Sequence, residues 1–311
     1  MSFQHVGQKI EMLPCGGIQI SNPKIIQNLL YENDMLDCNS KSTPYIANAD
    51  LSARRADEEK ANIKDFQKAV GTLRFIADTT HPAISWIVGV LGRHLHDPAP
   101  RHVTALKSIY RFLSTRRNHG PRYDKKGPLE LICYTDSDYA ADRDTRRSIT
   151  GLLVLATKQP IVWASARQAT VTHSSTEAEY IAADTGAKVL TWLASLAKEM
   201  RVPVVKRPVS LRIDDKPTTK YHEGVIVKDD RQDLLLLTDN KGAFDIAHTN
   251  GPSKRTKHLD VRHHYIQQQV HTKVLRLTQV PTDQQWADFL TKGVGRVIFK
   301  QSMSNIGYPT Q

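Results

Sequence analysis

Cysteine is scarce in this sequence and never paired. Cys15, Cys38 and Cys133 are scattered, odd in number and form no Cys-x-x-Cys motif. That usage fits a reducing compartment and argues against a structural zinc site. Cys133 lies inside an apolar run and reads as a small core residue. Long apolar stretches are missing too, since none approaches the roughly 20 residues that cross a bilayer. The N-terminus, MSFQHVGQKIEMLPCGG, lacks the apolar core of a secretory signal. Tandem repeats and low-complexity tracts are absent.

What remains is ordinary globular composition with an excess of positive charge. The chain has 311 residues, 40% hydrophobic and 24% charged. On the usual ~100–200 residues per domain that is about two domains. A net charge of +11 and a pI near 9.5 favour polyanionic partners, nucleic acid above all. Arg101, Lys107, Arg111, Arg116, Arg117, Arg122, Lys125 and Lys126 face a single acid in their stretch, Asp124. The run is either a solvated helix face continued by a charged linker, or a phosphate-tracking patch.

Read in order, residues 6–11 and 17–20 suggest two short strands around Leu13-Pro14-Cys15-Gly16-Gly17. Asn22-Pro23 starts a helix through Ile25, Ile26, Leu29 and Leu30, with proline near its first position. The polar stretch 39–62 is expected to be a long mobile loop. Helices follow over about 63–78, 83–94 and 101–114, the last with Val103, Leu106, Ile109 or Tyr110 and Leu113 at helical spacing. Residues 118–128, NHGPRYDKKGP, read as a linker.

After the linker come three strand-like runs. The first, Leu131-Ile132-Cys133-Tyr134, delivers Asp136, and the others cover 151–156 and 160–164. Ser174-Ser175-Thr176-Glu177 then supplies N-cap chemistry for a helix reaching about Met200. Glu179 shares a face with Ala182, Ala183, Gly186, Ala187 and Leu190, small residues that let a helix lie close to a sheet. Glu177 shares its face with Ile181, Asp184 and Lys188, mostly a solvent face, and reads as support for the helix N-terminus. Residues two apart on a helix cannot both point inward, so Glu179 is the better ligand candidate. Strands over 209–213 and 224–227, the second ahead of the strong 234–238 strand that delivers Asp239, are followed by a last strand over 273–280. A helix from Gln284 to about Lys292 carries Asp288, and the stretch 296–311 is a tail without a clear signal. Four acids at strand ends and on packed helices suit hard divalent cations and suggest a two-metal phosphodiesterase. Asp138 lies past the expected strand end and reads as a turn residue.

Four co-linear motifs resemble the Pol polyproteins of copia-type LTR retrotransposons. Tyr134-Thr135-Asp136-Ser137-Asp138-Tyr139-Ala140 with Asp144 to Gly151 looks like that family's ribonuclease H opening. Ser174-Ser175-Thr176-Glu177-Ala178-Glu179-Tyr180 matches its SSTEAEY segment. Arg255-Thr256-Lys257-His258 through His264 is similar to its RTKH segment, and Val280-Pro281-Thr282, Ala287-Asp288 and Leu290-Thr291-Lys292 resemble its closing pattern. Upstream, Gly71-Thr72-Leu73, His81-Pro82 and Gly89-Val90-Leu91 are similar to reverse-transcriptase thumb and connection sequence.

The resemblance implies an α/β fold: a ribonuclease H-like mixed five-stranded sheet flanked by helices over 129–295, preceded over 1–120 by a β-hairpin and helical bundle. It implies a catalytic, metal-binding tetrad at Asp136, Glu179, Asp239 and Asp288, holding two Mg²⁺ or, in substitution, Mn²⁺. The expected reaction is hydrolysis of the RNA strand of an RNA/DNA hybrid. Hybrid contacts are expected from Lys107, Arg111, Arg116 and Arg117 and from Lys254, Arg255, Lys257 and Arg262. Other expected partners are the rest of a reverse transcriptase or an integrase, in a cytoplasmic particle or the nucleus, without a membrane. Departures are the long stretch before Asp239, which leaves Asp214 as a substitute third acid, and the lack of a tidy helix between Asp239 and Arg255. His81 and Ala83 stand where the family more often has arginine and aspartate. No Tyr-x-Asp-Asp motif occurs, so polymerase activity is not expected. A nucleic-acid-binding relic with a disabled site, or a structural subunit propping a polymerase, are the rival readings.

Overall fold

Backbone pairing in the computed structural model, which describes residues 1–123, 129–204, 234–248 and 264–308, builds two sheets. The expected strands over 209–213 and 224–227, Asp214, the linker cations Lys125 and Lys126, and Lys254, Arg255, Lys257 and Arg262 lie outside those residues.

The first sheet is a small antiparallel one. β1 (Ser2–His5), β2 (Gln8–Met12) and β3 (Ile18–Ser21) run in order, and β4 (Arg122–Tyr123) joins the far edge. Three strands form where two were expected, because Val6 and Gly7, read as strand, are the hairpin turn with φ of 46° and 78°. Paired positive φ values make a tight hairpin that follows the strand twist. A β-branched residue seldom occupies that region, which hid the turn. β1 is exposed throughout, so it shows no alternation to read.

The helices follow their apolar spacing. α1 (Pro23–Tyr31) buries Ile26, Leu29 and Leu30. α2 (Ile63–Thr79) is capped by Asn62, whose side chain accepts from the amides of Lys64 and Asp65. α3 (Ser85–Leu91) is flanked by 3-10 turns over Pro82–Ile84 and Gly92–His94, so the expected single helix is split in three. α4 spans Pro100–Leu113. The stretch 39–62 is anchored rather than loose. Tyr45 is buried and donates to Val294 O at 2.7 Å, and Arg101 donates to the carbonyls of Ser52 and Ala53.

The second sheet comprises β5 (Leu131–Asp138), β6 (Ile149–Ala156), β7 (Gln159–Arg167), β8 (Leu234–Thr238) and β9 (Leu275–Gln279), with α5 (Ser175–Glu199) between β7 and β8. Its order is β7-β6-β5-β8-β9, antiparallel on the β6–β7 side and parallel among β5, β8 and β9. This is the expected α/β class with a mixed five-stranded sheet flanked by helices. α6 (Lys241–His248) follows Asp239 directly, where no tidy helix was expected, and α7 (His264–His271) precedes β9. The tail is not featureless: α8 (Arg296–Asn305) and the residues after it bury Phe299, Met303, Ile306 and Tyr308.

Both faces of this sheet are covered, so its strands read as continuous apolar runs. On one face Leu131, Cys133, Leu152, Val154 and Leu236 pack under α5, α6 and α7. On the other, Ile132, Tyr134, Leu153, Leu155 and Leu237 share one cluster with α1 to α4 and α8. Buried Asp142 ties the parts together by pairing with Arg93 at 3.2 Å and Arg167 at 2.8 Å. Among the described residues no helix is long and apolar enough to cross a membrane.

α5 lies very close to the sheet because of Gly186. A Cβ there would sit 2.4 Å from Thr135 Cγ2 and 2.9 Å from Leu236 Cδ1. Gly186→Val should therefore cost about 1–3 kcal/mol through overpacking. The urea midpoint of unfolding measures it; an unchanged midpoint would mean the helix has room to retreat.

Candidate metal centre

The site forms where β5 and β8 end. Backbone alternation sends Leu131, Cys133 and Thr135 to one face of β5 and Asp136 and Asp138 to the other set. Asp136 is only 3% exposed, and Thr291 Oγ1 donates to its Oδ2 at 2.6 Å. Glu179, in the second turn of α5, is 6% exposed, and its Oε1 accepts from the Ser137 amide at 3.1 Å. Asp239 is half-buried just past the end of β8. One carboxylate oxygen from each of Asp136, Glu179 and Asp239 lies within 4.8 Å of the others. Glu179 Oε2 is buried with no hydrogen-bond partner among the described residues. An oxygen-only donor set holding an orphaned buried oxygen fits a hard divalent cation.

Asp288 is outside that triple but stands beside Asp136, close enough for its charge to raise Asp136's pKa. It is not on the expected helix. Where a helix over 284–292 was expected, two 3-10 turns form, Thr282–Gln284 and Asp288–Leu290, held by Gln285 Nε2 donating to Thr135 O at 2.9 Å. Gly151, opposite Asp136 in β6, makes room for this segment. A Cβ at Gly151 would come within 2.7 Å of Thr291 Cγ2 and 3.0 Å of Ala287 O.

Asp138 and Asp184 depart from their expected places, while Glu177 keeps its own. Asp138 belongs to β5, paired with Ile149, rather than to a turn. It is a further half-buried acid, its pKa raised by burial, with Lys292 opposing and Asp136 adding. Glu177 completes a capping box, accepting from the His173 amide at 2.7 Å while Ser174 Oγ accepts from its own amide. Asp184, assigned to a solvent face, is 2% exposed and paired with Lys188. Lys292, Thr291 and Gln285 were not singled out as site residues. Lys292 Nζ sits 3.0 Å from Asp288 Oδ1, and the i, i+4 spacing of the two is a signal for it beside the Leu290-Thr291-Lys292 family pattern.

Burial first, and crowding after it, govern protonation here. Burial, then the charges of Asp136 and Asp239, push Glu179 up to about 9, with Ser137 opposing. Burial and Asp288 push Asp136 up to about 6, against Lys292 and Thr291. Asp239 is raised by burial and by Asp136. Burial alone would lower Lys292, but Asp136, Asp288 and Asp138 raise it, so it stays charged.

The expected basic row over α4 and the residues just after it is not one exposed row. Lys107 is exposed and Arg111 half-buried. Arg116 is buried, donating to the carbonyls of Lys41 and Phe112 and lying over the Phe112 ring. Arg117 donates to the carbonyls of Ser114 and Leu36. The last two serve the fold, because uncapped carbonyls at a helix end need donors.

Fold and site thus define an α/β protein with an acidic, cation-competent cleft. The sequence is 31% identical over 291 residues to the retrovirus-related Pol polyprotein from transposon RE1 of Arabidopsis thaliana, covering 94% of this chain and 18% of that protein. It is 31% identical over 293 residues to the one from transposon TNT 1-94 of Nicotiana tabacum, covering 93% of this chain and 20% of that protein. An uncharacterised mitochondrial protein of Arabidopsis thaliana is 33% identical over 198 residues, 64% of this chain and 80% of its own length. No protein-family model and no solved structure matches the chain. The chain belongs to the retrovirus-related Pol polyproteins of copia-type transposons and spans about a fifth of the length of the first of these relatives.

The raised carboxylates set a pH dependence. A folded-state pKa near 9, against the usual 4.5, means Glu179 contributes stability below about pH 4.5 that is lost as pH rises towards 9. In a chelator, Tm should fall across that window, and Glu179→Gln should flatten the fall. Divalent cations should bind more tightly as pH rises, releasing protons. A pH-independent Mn²⁺ affinity between pH 6 and 9 would refute the linkage.

Proposed function

We propose that residues 129–295 form a ribonuclease H-like domain that cleaves the RNA strand of RNA/DNA hybrids, and that residues 1–120 are the thumb and connection end of a reverse transcriptase. The observation that carries this reading is the convergence of Asp136, Glu179 and Asp239 within 4.8 Å at the end of the sheet, with Asp288 beside Asp136. The strand order β7-β6-β5-β8-β9 and the family membership support it.

Mg²⁺ or Mn²⁺ would be held by Asp136, Glu179 and Asp239, with Asp288 available to a second ion. When bound, the cations supply Lewis acidity at the phosphodiester and lower the pKa of the attacking water. The chain's own part is orientation. Thr291 fixes the Asp136 carboxylate, the Ser137 amide fixes Glu179, and Gln285 holds the turn that presents Asp288. Lys292 offsets part of the acidic charge that would repel a substrate phosphate. Of the cations expected to contact a hybrid, Lys107 is exposed and Arg111 half-buried on α4, so these two are accessible to a nucleic-acid backbone.

Mg²⁺-dependent cleavage of a labelled hybrid tests the reading. Asp136→Asn should lose more than about 100-fold, since even outer partners of a metal ligand typically cost 10–100-fold. Thr291→Val should fall within that 10–100-fold range with hybrid binding intact. Glu177→Gln should stay within a few-fold of the parent. A folded, hybrid-binding parent that never cleaves would mark a binding relic. Equal activity in parent and Asp136→Asn would reject this site.

A further inference from the structure

A second site lies away from the acids, between the end of α4, the stretch 40–42 and α8. It is an open cavity of about 520 Å³. Four cations line it, Lys41, Arg116, Arg296 and Lys300, and no carboxylate among the described residues does. Arg296 and Lys300 are exposed and have no ion-pair partner among the described residues. Such a one-sided set of cations costs self-repulsion, which an anionic occupant would relieve. The α4 carbonyls that would repel an anion are already engaged, Phe112 O by Arg116 and Ser114 O by Arg117.

A second observation points the same way. Tyr308 lines the cavity, and its hydroxyl is buried without a hydrogen-bond partner among the described residues. Burial raises the phenol's pKa, with Arg116 opposing, so it stays a neutral donor in search of an acceptor. A buried hydroxyl left unsatisfied is costly, and an anionic oxygen would give it an acceptor. The cavity is not purely polar. Phe112, Phe299 and Met303 contribute apolar surface beside the cations.

We propose that this cavity binds a phosphate ester, its phosphate held by Arg296, Lys300 and the Tyr308 hydroxyl and its organic part resting on Phe112 and Phe299. Guanidinium and ammonium groups give charge-assisted bonds to phosphate oxygens, and aromatic rings accept a base or sugar face. The same chemistry is offered by a free nucleotide or by a nucleic-acid strand. The inference is independent of the acidic site, because its test is run without divalent cations.

The test is equilibrium binding to the full chain in excess EDTA at fixed ionic strength. One probe is AMP by calorimetry. A second is a labelled single-stranded oligonucleotide, and a third is an oligoglutamate peptide of equal charge, both by anisotropy. The double variant Arg296→Glu/Lys300→Glu should weaken phosphate-ester binding by about tenfold or more, since charge-assisted bonds are roughly twice as strong as neutral ones. Lys64→Glu/Lys198→Glu, the same charge change on exposed helix positions elsewhere, should stay within about threefold. Tyr308→Phe, which removes only the hydroxyl, should weaken binding by about threefold or more. AMP binding alone identifies a nucleotide site, and oligonucleotide binding alone a strand contact. Equal effects of the two double variants, or oligoglutamate binding as tightly as the phosphate esters, would overturn the proposal. So would the absence of binding by both phosphate esters at millimolar concentration.

Discussion

Like charges forced together at the end of one sheet are the constraint from which the rest of the structure follows. Two full charges about 5 Å apart at an effective dielectric near 20 repel by roughly 3 kcal/mol. Asp136, Glu179 and Asp239 approach that closely, with Asp288 and Asp138 nearby. Without a cation the cluster tolerates this by holding protons: burial first, and the neighbouring carboxylate charges after it, shift Glu179 and Asp136 upward. Lys292 supplies an internal countercharge. The backbone must be rigid enough not to relax apart. Burial of the sheet on both faces, under α5 on one side and the N-terminal helices with α8 on the other, supplies that rigidity.

Two glycines set the geometry of the cluster. Gly186 lets α5 press onto β5 and β8 and so brings Glu179 down to the strand ends. Gly151 lets the 287–291 turn lie against β6, which brings Thr291 and Asp288 to Asp136. In both places the helix or turn sits where a side chain would otherwise stand. The positioning of the acids therefore depends on residues that carry no chemistry themselves.

Positive charge is spent in two ways that composition does not distinguish. Arg93, Arg101, Arg116 and Arg117 are committed to buried acids or backbone carbonyls and hold the fold together. Arg296, Lys300 and Lys107 remain exposed. Net charge counts both sets alike, which is why the basic run on α4 and just after it resolves into two structural arginines, Arg116 and Arg117, and two more accessible cations, Lys107 and Arg111.

Much of the site was legible in residue order. Apolar runs of strand length ending in Asp136 and Asp239 marked strand ends, and the 3.6-residue stripe of small residues selected Glu179 over Glu177. Those signals are local, because the period of a helix or strand is written in adjacent residues. The segment carrying Asp288 has the pattern of a helix, but its shape is set by Gln285 and Thr291 reaching back to β5. Asp138 has the sequence setting of a turn residue, and only pairing with Ile149 extends the strand that far. Asp184 has helical spacing that points to solvent, yet packing buries it beside Lys188. The tail showed no pattern because α8 buries Phe299 and Met303 against helices some two hundred residues earlier in the chain. Sequence alone determined most of the strands and longer helices, and the family; which groups meet, and which cations are left over, was decided by contacts between distant segments that no local period encodes.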